Sequence, residues 1–312
     1  MFKYIIKRFF MAILTIWIIA TLTFILMMSI PGSPFNDVSD KTSNEAVQEN
    51  LEAHFNLDQP PVIQYVYYLK SIATFDFGPS IKKPNDTVNE LLGRGFPISF
   101  ELGILSIIVA LISGIALGVL AALKHNKIID YMAMTIAVLG ISIPNFVLAT
   151  LLIQQLAVNL NILPVATWKS PAHMVLPTIA LATGPMAIIA RLTRSSMLEV
   201  LTQDYIKMAR AKGLSPYKVI IKHALKNALM PVVTILGTLL AGVLTGTFVI
   251  EKIFAIPGMG QYFVQSINER DYPVIMGTTV FYSAFLILML FLVDITYGIL
   301  DPRIKIHDEK GD

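Results

Sequence analysis

Long apolar runs separated by shorter polar segments dominate the pattern of this chain. Six runs of roughly twenty residues contain no Asp, Glu, Lys or Arg. An α-helix rises about 1.5 Å per residue, so each run is long enough to cross a hydrocarbon layer about 30 Å thick. The pattern therefore predicts six membrane-spanning helices. Their predicted bounds are 9–30, 102–123, 131–158, 174–190, 230–250 and 274–293.

The composition supports a lipid environment. Apolar residues make up 55% of the 312 residues and charged residues 14%, whereas soluble domains carry about 25% charged residues. The chain contains no cysteine, which excludes a disulfide framework and a thiolate metal site. The five histidines are scattered and do not suggest a metal cluster. They are His54, His125, His173, His223 and His307.

The distribution of Lys and Arg predicts the orientation of the spans. Segment 191–229 carries eight bases and two acids, whereas loop 31–97 carries five bases and nine acids. Because short loops rich in Lys and Arg stay in the cytoplasm, both termini are predicted to be cytoplasmic. The predicted organisation is an N-terminal tail and first transmembrane helix over 1–30, an extracytoplasmic loop over 31–98, a five-helix core over 99–300 with a cytoplasmic loop over 196–229, and a cytoplasmic tail over 301–312.

Glycine and proline residues predict close contacts and bends within the spans. Gly114 and Gly118 lie four residues apart, as do Gly242 and Gly246, so each pair would allow another backbone to approach closely. Pro144 falls inside the third predicted span, where its missing N–H group is expected to bend the helix.

A basic amphipathic segment, residues 204–229, lies between the fourth and fifth predicted spans and is called the elbow below. Its pattern predicts two short helices interrupted at Gly213, with Ser215 and Pro216 starting the second. Anionic lipid headgroups would attract its basic residues. A hinged pair of short helices instead indicates a rigid knob that docks into a protein partner. The predicted apolar faces carry Tyr205, Met208 and Ala209, and then Tyr217, Ile220, Ile221, Ala224 and Leu225, while Lys218, Lys222 and Lys226 line another face.

The elbow contains the motif Ala-Arg-Ala-Lys-Gly-Leu at residues 209–214. Together with the sequence HALKNALMP that follows, it resembles the cytoplasmic coupling loop of ABC importer permeases of the oligopeptide, dipeptide and nickel transport family. The chain departs from the general form of that loop at three positions. Lys207 replaces its Glu, His223 replaces its Ile and Lys226 replaces its Pro. The resemblance assigns ATPase coupling to Asp204, Tyr205, Lys207, Met208, Ala209, Arg210, Ala211, Lys212, Gly213, Leu214, Pro216, His223, Leu225 and Asn227.

Motifs along nearly the whole chain resemble the same family. They include Phe-Asp-Phe-Gly-Pro-Ser at 75–80, Leu-Pro at 176–177 and Asp-Pro-Arg at 301–303, and the long loop 31–98 is typical of the first of two permease subunits. Asp204 and the pair Arg270 and Asp271 are expected to hold loops in place rather than to bind solute. The extracytoplasmic family motif comprises Glu251, Pro257, Gly258, Gly260, Arg270, Asp271 and Pro273.

The resemblance implies an all-α polytopic membrane protein with six transmembrane helices, of the type I ABC importer fold, in a bacterial or archaeal plasma membrane. The implied partners are a second permease subunit in a heterodimer, two ATPase subunits, an extracytoplasmic solute-binding protein and membrane lipid, with no nucleic acid. The chain has no Gly-x4-Gly-Lys-Ser/Thr phosphate loop, so ATP and Mg are expected on the ATPase subunits. No catalytic residue, metal site or cofactor is predicted in this chain.

The implied function is ATP-driven import of oligopeptides or dipeptides, with the residues that bind substrate unassigned. Two alternatives stay open. The same machinery could import nickel or a metal–chelate complex, although the scattered histidines favour a peptide cargo. A self-contained secondary transporter would need intramembrane ionisable residues or an inverted repeat, and neither is evident.

Overall fold

The computed structural model describes residues 2–29, 34–35, 50, 52–83 and 85–300. Within these residues the chain is helical and contains no β-strand, which confirms the predicted all-α class. The predicted cytoplasmic tail, residues 301–312, lies outside the described residues, as do residues 36–49 of the predicted extracytoplasmic loop.

The helices are numbered here in chain order. They are α1 (Phe2–Met28), α2 (Pro61–Thr74), α3 (Val88–Leu123), α4 (Ile128–Ser142), α5 (Asn145–Leu152), α6 (Pro171–Leu201), α7 (Asp204–Ala211), α8 (Pro216–Lys218), α9 (Lys226–Ala228), α10 (Met230–Ile253), α11 (Met259–Glu269) and α12 (Tyr272–Leu300). Two segments are π-helical: π1 (Ile153–Asn159) follows α5, and π2 (Val219–Leu225) joins α8 to α9.

Four of these helices, α1, α3, α6 and α12, are long and apolar enough to cross a membrane as single rods. Two bent pairs bring the total to six if each pair counts as one span. One pair is α4 followed by α5 and π1, bent by 105°; the other joins residues 216–228 to the start of α10, bent by 52°. The predicted apolar runs are therefore helical, except that the third is broken at Pro144.

Pro144 separates α4 from α5 within the third predicted span. It cannot donate a hydrogen bond, and it excludes the preceding residue from the helical region, so Ile143 takes φ −89° and ψ 120°. Pro177 and Pro185, in contrast, lie inside α6 without ending it. The sequence predicts bends at prolines but does not distinguish the broken span from the continuous one.

The chain divides into two compact units. The first comprises Met1–Pro97 and Gly258–Phe291, and the second comprises Ile98–Pro257 and Leu292–Asp312. In the first unit, α2 contacts α1. In the second unit, α6 is the central helix, because α4, α5, α10 and the elbow all contact it.

The first predicted glycine pair makes the expected close contact, within the second unit. A Cβ atom added to Gly114 would lie 2.7 Å from the carbonyl oxygen of Met186, and one added to Gly118 would lie 2.6 Å from that of Ala190. The backbones of α3 and α6 therefore meet through these glycines. The expectation for the second pair is wrong within this chain, because a Cβ atom at Gly242 or Gly246 would meet no atom within 4 Å.

Substitution of Gly118 by alanine is expected to destabilise the protein by about 1–3 kcal/mol, because the added methyl group would overlap the backbone of α6. Unfolding in mixed detergent micelles measures this loss. The matched control is Gly246→Ala, which adds the same methyl group to open space and should be neutral or slightly stabilising. Equal destabilisation by both substitutions would contradict the predicted contact.

Candidate functional site

The first helix of the elbow, α7, ends in a Schellman motif. Gly213 takes φ +75°, and its N–H group donates to the carbonyl of Arg210 over 3.0 Å. The N–H group of Leu214 donates to the carbonyl of Ala209 over 3.4 Å. These two bonds satisfy carbonyls that the helix end would leave free, and the left-handed conformation favours glycine. The predicted interruption at Gly213 is therefore a defined turn.

The second helix of the elbow begins where the sequence predicts. The Ser215 hydroxyl accepts a hydrogen bond from the N–H group of Lys218 over 3.4 Å, and Pro216 takes the first helical position, where its missing N–H group costs no hydrogen bond. The two helices are then tied together near their far ends, where the Asn227 amide donates to the Tyr205 hydroxyl over 2.9 Å.

The predicted apolar faces of the elbow are partly wrong. In the second helix, the buried residues are Val219 and Ala224, five positions apart, whereas Tyr217 and Ile221 are exposed. The cause is π2, because its wider turn brings residues five apart onto one face. In α7, Ile206 and Ala209 are buried and the predicted Tyr205 and Met208 are exposed.

A small apolar cluster fixes the elbow to the ends of two long helices of the second unit. Ile206, Ala209 and Val219 pack with Ala122 at the end of α3 and Met197 near the end of α6. Because all five side chains are at least 95% buried, the elbow packs directly against the ends of these two helices. A displacement of the elbow would therefore be transmitted to α3 and α6.

The outward surface of the elbow combines apolar and basic side chains. Tyr205, Met208, Tyr217 and Ile221 are 42–73% exposed. Tyr, Met and Arg are enriched at the centres of protein interfaces, whereas a surface held only by lipid headgroups needs no such exposed aromatic residues beside its bases. The basic side chains that surround them are all exposed; they are Lys207, Arg210, Lys212, Lys218, Lys222 and Lys226.

The predicted coupling residues differ in exposure: most are exposed, one is buried and three are half-buried. Asp204 is exposed in the first turn of α7 and pairs with Lys207 over 2.9 Å. Ala209 is buried, and His223, Leu225 and Leu214 are half-buried. Arg210, Ala211, Lys212, Gly213, Pro216 and Asn227 are exposed with Tyr205, Lys207 and Met208.

The extracytoplasmic motif is divided between the two units. Glu251 and Pro257 belong to the second unit, where Glu251 is fully buried. The remaining motif residues belong to the first unit; they are Gly258, Gly260, Arg270, Asp271 and Pro273.

Asp271 holds a loop of the first unit. Its buried carboxylate accepts hydrogen bonds from the Ser80 hydroxyl and from the N–H groups of Ile81 and Lys82, each 3.2 Å away. Arg270 ends α11 in the left-handed conformation with φ +55°. This geometry agrees with the expectation that the pair shapes a loop.

A buried ion pair near the elbow was not predicted. Arg194 in α6 donates through its Nε to Asp130 Oδ1 over 2.6 Å and through its terminal nitrogen to Asp130 Oδ2 over 2.7 Å. The N–H group of Asn126 and the ring of His125 also contact Oδ2, at 3.0 and 3.4 Å. The sequence contains one signal for this pair. The acid Asp130 lies directly before the apolar run 131–158 and follows Lys124 and Lys127.

The second unit also encloses a cavity of about 340 Å³ at the bend between α4 and α5. Helices α6 and α10 complete its walls, and the second glycine pair, Gly242 and Gly246, belongs to its lining. The lining includes Gly140, Asn145, Thr183, Gly184, Thr238 and Gly246. Across the residues that the structure describes, no group of three or more His, Asp or Glu side chains is placed to hold a metal ion.

Comparison with known proteins covers almost the entire chain. Residues 114–306 match the family described as binding-protein-dependent transport system inner membrane component, and residues 1–97 match the N-terminal family of the same membrane components. A dipeptide transport system permease protein of Bacillus subtilis is 71% identical over 100% of both chains. An oligopeptide transport system permease protein of Escherichia coli is 42% identical over 98% of this chain and 100% of the relative.

Solved structures share the fold at low identity. The inward-facing MetNI methionine ABC transporter matches with a TM-score of 0.54 and 22% identity, over 67% of this chain and 94% of that one. An amino acid ABC transporter matches with a TM-score of 0.52 and 16% identity, over 66% and 92% of the two chains. These neighbours identify a type I ABC importer transmembrane domain.

Proposed function

Since this chain belongs to the family of binding-protein-dependent transport system inner membrane components, we propose that it is the permease subunit of an ATP-driven importer of dipeptides or oligopeptides. The peptide cargo rests on the relatives described above, which are peptide permeases along the whole length of this chain. Nickel is the less favoured cargo for the same reason.

One observation carries the proposed mechanism: the elbow packs against α3 and α6 on one side and exposes its other side. ATPase subunits would bind the outward Tyr, Met and basic side chains, and their ATP-driven closure would displace the elbow. The buried contacts of Ile206, Ala209 and Val219 would then move the ends of α3 and α6. Such a displacement switches the spans between two arrangements, which is the general route by which a rigid contact changes a distant site.

The remaining parts of the assembly follow from this role. A second permease subunit would complete a heterodimer, two ATPase subunits would bind ATP and Mg, and an extracytoplasmic binding protein would deliver the peptide. This chain is a multi-pass protein of the plasma membrane, and we place both termini and the elbow on the cytoplasmic side. Catalysis is assigned to the ATPase subunits, and no cofactor is assigned to this chain.

Uptake measurements in a strain that lacks this chain test the proposal. Expression of the chain should restore ATP-dependent uptake of a labelled alanyl dipeptide and leave the accumulation of labelled nickel unchanged. Restored nickel accumulation without peptide uptake would support the metal-importing alternative. Peptide transport that persists in vesicles stripped of ATPase subunits would indicate a self-contained transporter and overturn the coupling mechanism.

A further inference from the structure

Helix α2 of the first unit presents an apolar face to its surroundings. Val62, Val66 and Tyr67 are 73%, 58% and 49% exposed, and Ile63 is exposed beside them. These positions repeat at intervals of about four residues, so they share one face of the helix. Lys70 is the only charged residue of α2 and is exposed one turn after Val66. A stripe of this kind is unfavourable in water, because its apolar area stays hydrated.

The opposite face of α2 contacts α1 well inside the span. The Tyr65 hydroxyl lies 2.6 Å from the Thr21 hydroxyl, and the Tyr65 and Phe24 rings are 5.3 Å apart. The Tyr68 ring stacks on the same Phe24 at 6.0 Å. Thr21 precedes the last residue of α1, Met28, by two turns, which places it about 10 Å below that end of the helix.

This depth decides where α2 lies. The headgroup layer is only about 5–7 Å thick on each side of the hydrocarbon. A tyrosine side chain that reaches Thr21 therefore cannot belong to a helix that stands clear of the membrane in water. The contact places α2 at the boundary between headgroups and acyl chains.

We propose that α2 is an interfacial helix whose exposed face is covered by membrane lipid. Val62, Ile63 and Val66 contact acyl chains, Tyr67 lies at headgroup level, and Lys70 extends along the helix toward lipid phosphates. Tyrosine is enriched at this level of membranes, and a lysine stem can lie on apolar surface while its charge stays hydrated.

The exposed surface of α1 favours lipid over a protein as the occupant. Leu22, Ile25 and Leu26 of α1 are 53–66% exposed and lie next to the residues that contact α2. Because α1 is a membrane span, this surface meets acyl chains, and α2 packs against α1 at the same level of the span. The single positive charge on α2 also complements anionic lipid.

Spin labels on single cysteines test the proposal without any prior removal of native cysteine, since the chain has none. Val66→Cys is labelled in the full chain, within its complex in native-lipid vesicles. Collisions are measured with oxygen, which concentrates in hydrocarbon, and with a water-soluble paramagnetic chelate. Leu26→Cys serves as the lipid reference and the exposed Asn85→Cys, in the polar turn between Lys83 and Asp86, as the aqueous reference. Val62→Cys repeats the measurement if Val66→Cys reduces assembly.

We expect Val66→Cys to follow Leu26→Cys, with oxygen collisions favoured over chelate collisions by at least about threefold relative to Asn85→Cys. Preferential collision with the chelate would place α2 in water and overturn the proposal. Protection from both reagents would mean that a protein covers this face, and it would overturn the proposal equally.

Discussion

Replacement of Arg194 by methionine is expected to destabilise the protein by about 3–5 kcal/mol, the largest stability effect that we predict. The Asp130 side chain is only 2% exposed, so loss of its bidentate partner leaves a buried carboxylate with only the N–H group of Asn126 and the ring of His125 in contact with it. Exposed ion pairs contribute only about 0–1 kcal/mol, because water replaces the lost partner. Because Asp130 is buried, we expect the loss of its partner to lower stability more than the loss of an exposed ion pair would.

The two partners should differ in their effects. In Asp130→Asn the amide oxygen can still accept a hydrogen bond from the N–H group of Asn126. Arg194 is 26% exposed, so its guanidinium can reach water when the carboxylate is lost. We expect it to cost about 1.5–3 kcal/mol, the range for a hydrogen bond to a charged group. Unfolding in mixed micelles measures both variants. The control is Arg191→Met, an exposed arginine of the same helix, and an equal loss for Arg191→Met and Arg194→Met would contradict the prediction.

Substitution of Gly213 by valine is expected to reduce ATP-dependent peptide uptake by at least about tenfold, with the protein still present in the membrane. Gly213 takes φ +75°, a region that costs an ordinary residue about 1–2 kcal/mol and a β-branched residue more. Each 1.4 kcal/mol corresponds to about tenfold in an equilibrium constant, here the population of the native turn on which coupling depends. The Schellman turn would open, and the two elbow helices would no longer present their surface together.

Gly213→Asn separates conformation from bulk. A Cβ atom at this position would meet nothing within 4 Å, so side-chain size alone carries no penalty. Asparagine adopts the left-handed conformation more readily than valine and should therefore retain most of the uptake. Uptake is normalised to the amount of each variant in the membrane. If valine and asparagine behaved alike, the left-handed turn could not be the reason for the loss.

Local signals in the sequence predict much of the fold and of the elbow. Four of the six apolar runs correspond to helices that satisfy the length and hydropathy of a span by themselves, and the other two do so as bent pairs of helices. Ser215, Pro216 and Gly213 mark the helix start and the turn, since their chemistry acts on their own backbone neighbours.

The sequence does not predict which elbow residues are buried or which glycines meet another helix, because contacts between distant segments decide both. The helical period of 3.6 residues predicts Tyr217, Ile221 and Ala224 on the buried face, but of these three only Ala224 is buried, because π2 changes that period and buries Val219 with it. Both glycine pairs have the same spacing, yet only Gly114 and Gly118 meet a facing helix.

The sequence by itself determined the positions of the six apolar runs, the hinge and start of the elbow helices, and the family to which the chain is similar. These properties depend on neighbouring residues and on length, so a linear pattern contains them. Only the tertiary structure decided that α3 and α6 seat the elbow, that Arg194 neutralises Asp130 and that α2 contacts α1 two turns from its end. Each of these depends on which segments meet in space, and burial then sets the energy of the contact.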